Sequence, residues 1–232
     1  MKQLIHLLKH DFLLLQRYKM IAISVIVTVF YMLAFKGIST WGDIDKLLVL
    51  IVFNDPALLG FLFIGVIVLF EKNENAIQAL AVSPVKVSNY ILSKAISLTL
   101  ISVICCYAMA FSSKGFDFNY IHYFFATVLT TLIFSFLGFI VVARLSSFNK
   151  YIIRALGVIL FLTIPFIGYF EIVNRYWFIL FPTMPAINLF SLSFPNDLTI
   201  VEIILSYMLS VFWCVFTYFC SVKIITNNFA KQ

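Results

Sequence analysis

The sequence predicts an all-α integral membrane protein with six transmembrane helices, and three observations carry that prediction. First, 63% of the 232 residues are apolar and only 11% are charged, with a mean hydropathy of +1.06, outside the range of soluble globular domains. Second, the apolar runs are continuous rather than alternating, so each can satisfy its backbone only as a helix; a barrel strand would alternate polar residues inward. Third, Lys and Arg gather beside the ends of these runs, as orientation signals do.

The elements follow in order. Residues Lys2 to Lys19 read as an amphipathic helix, with Leu4, Leu8, Phe12 and Leu15 on one face and Lys2, His6, Lys9, Gln16 and Arg17 opposite. Such a helix suits the membrane interface, its apolar face in the acyl boundary and its basic face on anionic headgroups. His6 and His10 stand at the i, i+4 spacing a metal site uses, but no third ligand is near, so the interface explains them and no metal is expected. Six spans need roughly 20 apolar residues each, and the runs that fit are Met20 to Phe35, Val52 to Phe70, Ile91 to Phe111, Tyr120 to Val142, Ile152 to Phe170 and Ile200 to Val222. No cleavable signal precedes the first, which is expected to stay in the mature chain.

An even number of spans puts both termini on one side. With that side cytoplasmic, twelve of the sixteen Lys and Arg residues lie inside, leaving Lys36, Lys46, Lys114 and Arg175 outside with most of the acids. The net charge of +6 is accounted for by this asymmetry, and nucleic acid is not an expected partner. Cys105, Cys106, Cys214 and Cys220 all fall inside spans and read as packing residues rather than a disulfide framework.

The first outward loop, Lys36 to about Ile51, carries Trp41 as a headgroup anchor. Asp55 and Pro56 then open the second span. Proline suits a first helical turn and the carboxylate a helix cap, while the sharper reading places Asp55 at the mouth of a translocation path. In the fourth span Thr127, Thr130, Thr131 and Ser135 form a small-hydroxyl stripe, which reads as close helix packing before cargo contact. With 27 phenylalanines in the chain, lipid-facing packing is the default for any one of them, although a path lined by Phe134 or Phe161 would favour apolar cargo. The outward loop 171–199, broken by Pro182, Pro185 and Pro195 and rich in aromatic residues, predicts short surface or re-entrant helices. Glu202 is expected to stabilise the start of the last span.

One polar interruption stands apart. From Leu69 to Lys94 the chain reads LFEKNENAIQALAVSPVKVSNYILSK: a charged cluster ends the second span, Ala76, Ile77, Ala79 and Leu80 offer helical contacts, and Ser83-Pro84 breaks the run. It reads either as a short surface helix rigidly joined to the spans on both sides or as an ordinary solvated loop.

The segment Asn54 to Lys94 resembles the permease subunits of type-2 ABC exporters, in which an acidic-basic-acidic cluster ends the second span, a small-residue helix follows, then Thr/Ser-Pro and a Lys opening the third span. The chain looks similar to small drug-export permeases of the fluoroquinolone-export type within that family. The resemblance implies a single permease domain over residues 1–232. It also implies a cytoplasmic coupling helix in the region 71–90 with Glu71, Glu74, Gln78, Leu80, Ser83, Pro84 and Lys94 in coupling roles, a separate ATPase subunit carrying ATP and Mg, and a second permease chain. The lack of G-x-x-x-x-G-K-[ST] in the chain fits an energy source elsewhere, and no catalytic residues are expected. Thr127, Thr131, Ser135 and Asp55 are the residues read as a possible substrate path, for hydrophobic or amphipathic cargo such as a drug, peptide or lipid in multidrug efflux. Two other readings are an ion-coupled carrier, disfavoured because the central thirds of the spans hold no ionisable residue, and a non-transporting scaffold or immunity protein.

Overall fold

The computed structural model describes residues 2–38, 45–77, 85–194 and 198–229. Among them every regular element is helical and no strand occurs. Helix α1 covers Lys2–Arg17, α2 Met20–Ile38, and α3 Asp45–Leu58, which runs through a π-helical segment, Leu59–Phe63, into α4, Ile64–Asn73. Helices α5 (Val87–Lys114), α6 (Tyr120–Val142), α7 (Phe148–Thr163) and the short α8 (Phe166–Tyr169) follow. A 3-10 turn at Arg175–Phe178, α9 (Thr183–Ser191) and α10 (Ile200–Phe229) complete the chain. Six helical stretches are long and apolar enough to cross a bilayer: Met20–Gly37, Lys46–Asn73, Val87–Lys114, Tyr120–Val142, Phe148–Tyr169 and Ile200–Asn227. The molecule is a multi-pass all-α membrane protein, as its composition predicts.

The second span departs from the sequence reading. It begins at Asp45 rather than near Val52, because Leu47 to Phe53 is itself an apolar run that continues the helix. Pro56 therefore lies inside α3, and Asp55 is a buried residue of the span, 3% exposed, not a cap at its mouth. Trp41, Gln78, Leu80, Ser83, Pro84 and Pro195 lie outside the described residues.

The core lies around α6. Some 61% of the second span, 56% of the third and 61% of the fourth are buried, against 22%, 28% and 17% of the first, fifth and sixth, so three helices form the centre and three the flanks. Backbones approach closely where the π segment meets α6. A Cβ on Gly60 would sit 2.7 Å from the Thr131 carbonyl oxygen, and one on Gly138 2.7 Å from that of Phe61, so only glycine permits this crossing. The hydroxyl stripe lines the same seam. Thr127, Thr130, Thr131 and Ser135 are fully buried, and Thr127 and Thr131 donate to the carbonyls one turn back, at 2.9 and 2.8 Å.

Proline removes an amide and the π turn re-spaces the helical ladder, and a side chain from another helix braces this stretch. The Tyr151 hydroxyl of α7 donates to the Phe61 carbonyl oxygen at 2.5 Å. Tyr151→Phe is expected to lower stability by about 0.5–1.5 kcal/mol, read as the thermal unfolding midpoint of the purified protein. An unchanged midpoint would show that the bond contributes nothing.

At the end of the bundle opposite the termini, the short helices predicted between the last two spans are present. Asn119 caps α6 through its side-chain oxygen, which accepts from the amides of Ile121 and His122, and Thr199 with Glu202 forms a reciprocal capping box at α10. Glu202 also pairs with Arg175, so the 3-10 turn is tied to the last span. Lys46 at the start of the second span and Glu171 just past the fifth pair at 2.8 Å, and the Lys46 hydrogen bond holds the Glu171 carboxyl below the usual carboxylate range.

Candidate functional site

Two polar assemblies are built into this apolar bundle. The first lies at the end where the termini emerge. In α5, Tyr90 and Lys94 stand one turn apart and face the same way. The Lys94 ammonium donates to Asp11 Oδ1 at 2.8 Å and to Glu71 Oε1 at 2.6 Å. Tyr90 donates to Glu71 Oε2 at 2.6 Å, and Lys94 Nζ lies 4.9 Å from the centre of the Tyr90 ring. Asp11, Glu71 and Lys94 are all buried. One cation thus joins three separate elements: the leading helix, the end of the second span and the start of the third.

Around this clamp the charged cluster divides its work by helical direction. Glu71 points inward. Lys72 crosses to the end of α6 and donates to the carbonyl oxygens of Val142, Ala143 and Leu145 at 3.2, 2.9 and 2.8 Å, capping a C-terminus whose dipole favours a cation. Glu74 points outward, 3.7 Å from Arg17 with both side chains exposed. Asn75 ends the helix at φ +58°, a conformation asparagine tolerates. Tyr18 stacks on Phe70 with ring centroids 4.5 Å apart. Of the residues assigned to coupling, Glu71 and Lys94 are therefore turned into the protein while Glu74 stands at its surface; Gln78, Leu80, Ser83 and Pro84 lie outside the described residues.

Asp11 was not singled out in the sequence, yet it left a signal. It falls on the apolar stripe of α1, seven residues after Leu4 and four before Leu15, where a carboxylate has no place unless a cation meets it. Lys94, inside an otherwise apolar run, asks for a counter-ion in the same way.

The second assembly lies within the spans. Asp55 Oδ2 is 3.9 Å from the Cys106 thiol of α5, and Cys106 is 3.9 Å from the Ser102 hydroxyl. The Ser102 and Thr131 hydroxyl oxygens lie 3.0 Å apart, joining α5 to α6. Two of the residues read as a substrate path, Asp55 and Thr131, are thus brought together through Ser102 and Cys106, the latter read from sequence as packing. Thr127 continues the chain from Thr131; Ser135 lies instead beside Gly60, its hydroxyl buried with no hydrogen-bond partner among the described residues. A neighbouring cavity of about 10 Å³, lined by Phe53, Asn54, Phe134, Leu162 and Thr183, has room for about one water. Among the described residues no group of three metal-ligating side chains occurs.

A family model described as the fluoroquinolones export permease protein family matches residues 2–230. No curated protein matches the chain.

Proposed function

The chain belongs to the fluoroquinolones export permease family, and from that premise we propose that it is the membrane subunit of an ATP-driven exporter, energised by a separate ABC ATPase that binds ATP and Mg. Both termini and the segment between the second and third spans face the cytoplasm, the orientation favoured by the Lys and Arg distribution. Two such chains pair, each docking one ATPase, and the cargo is an amphipathic aromatic drug drawn from the bilayer.

The observation that carries this reading is the buried clamp of Asp11, Glu71 and Lys94. It joins α1 to the span ends on both sides of residues 74–86, so a displacement of that segment is delivered to the second and third spans together rather than absorbed at one end. Nucleotide-driven closure of the ATPases then switches the bundle between packings, the bistable behaviour by which packed helices transmit motion. Glu71 and Lys94 act as the rigid link, and Glu74 with the segment that follows it makes the contact.

Glu74→Lys and Leu80→Arg place a cation and a charge where an acidic and an apolar contact are expected. Each is expected to weaken ATPase co-purification by about tenfold or more, equivalent to about 1.4 kcal/mol, and to return drug-stimulated ATP hydrolysis to its basal rate. Docking and stimulation unchanged in both variants would sink the assignment. The burial of Asp55 inside the second span also weakens the sequence argument against an ion-coupled carrier. Transport that persists without ATP and collapses with the proton gradient would favour that reading instead.

A further inference from the structure

Asp55 differs from the other buried acids. Asp11 and Glu71 share Lys94, whereas Asp55, 3% exposed, makes no ion pair among the described residues. The Cys106 thiol, a weak donor, lies 3.9 Å from its Oδ2. A carboxylate left this way inside a membrane span is strongly disfavoured as a lone anion, and intramembrane acids persist where they serve a path or a ligand.

The surroundings fit a ligand of one chemical class. Pro56 has no amide to offer the Val52 carbonyl one turn back, and the ladder is disturbed again at the π segment Leu59–Phe63. A broken helix beside a carboxylate is an arrangement by which membrane transport sites bind charged groups. Tyr123 stands beside this contact, its hydroxyl donating to the Cys106 carbonyl oxygen at 2.6 Å. A buried carboxylate beside a carbonyl that proline leaves without its amide suits an ammonium group.

Access is on the α2 side. Tyr31 is half-buried, while Phe30 and Leu33 on the same helix are 68% and 65% exposed. Tyr31 hydrogen-bonds the side chain of Asn54, the residue before Asp55, so α2, the flank helix with 22% of its span buried, lies on the carboxylate's side. We infer that Asp55 is the recognition carboxylate for the protonated amine of an aromatic cargo, which enters past Tyr31 and neutralises the buried charge. The inference rests on the export reading for its cargo class and adds charge selection to it.

The test uses the purified full-length chain and two probes: a fluoroquinolone with a free piperazine nitrogen and the same compound acetylated at that nitrogen, with binding followed by the drug's own fluorescence polarisation. Wild-type protein is expected to prefer the free amine by about tenfold or more. Asp55→Asn, which keeps the side chain's size, should erase that preference, and Asp55→Glu should restore it. Wild-type protein that binds both probes alike, or neither, overturns the assignment, as does a preference that survives in Asp55→Asn. Equal loss of both probes in Asp55→Asn without rescue by Asp55→Glu assigns the residue a structural role and overturns it too. Because binding needs no ATPase, a clear amine preference with no ATP-driven transport would leave the role of Asp55 standing and sink the export reading.

Discussion

Lys94→Met is expected to destabilise the protein by about 3–5 kcal/mol, the range found when one partner of a buried ion pair is removed. Methionine nearly matches the volume of the lysine stem, so packing is kept and the charge is what changes. Lys94 is 2% exposed, and it is the shared partner of Asp11 and Glu71. Without it two carboxylates are left buried near each other; Tyr90 still donates to Glu71, while Asp11 Oδ2 has no hydrogen-bond partner among the described residues. Removing a carboxylate instead should cost less. Asp11→Asn leaves one cation facing one anion, so the double variant Asp11→Asn/Lys94→Met should recover part of the loss, a coupling that a double-mutant cycle of thermal unfolding in detergent or lipid would measure. Lys94→Met as stable as the parent would show that the clamp is incidental, and with it would go the support for rigid coupling between the span ends.

Gly65→Ala should be nearly as damaging for a different reason. The added methyl would lie 1.9 Å from the Tyr151 ring and 2.3 Å from its hydroxyl, and Tyr151 is fully buried with that hydroxyl fixed on the Phe61 carbonyl. The ring cannot step aside without breaking the bond and lifting α7, whose buried residues are few, Tyr151, Ala155 and Leu162. Overpacking of this kind costs about 1–3 kcal/mol, to which the lost hydrogen bond adds about 1 kcal/mol. Gly65→Ala/Tyr151→Leu should regain the packing part of that loss. A Gly65→Ala protein that melts with the parent would mean that α7 relaxes freely at this contact.

Much of the fold was legible because it follows from consecutive residues. Six apolar runs of sufficient length imply six helices, and the capping signals of Asn119 and of Thr199 with Glu202 lie within three residues of the ends they stabilise. The start of the second span is hidden in the sequence because Asn54, Asp55 and Pro56 look like a boundary, and proline more often begins a helix than occupies its middle. What the sequence could not reveal was that α5 and α6 would shelter this break, so that the span continues through it. The same limit applies to the polar residues. Glu71 and Lys94 stood out by type, but their direction depends on Asp11, 83 residues from Lys94.

By itself, then, the sequence determined that the protein is a helical membrane protein, how many times it crosses, and which interruption carries its polar cluster. Those properties rest on local hydrophobicity and on backbone hydrogen bonds closed within each helix. The tertiary structure alone decided which charges compensate one another, which glycines allow two backbones to touch, and that Asp55 is enclosed within the spans and not at their edge. Burial and charge pairing depend on which helices meet, and that is fixed by the packing of distant segments rather than by the order of neighbours in the chain.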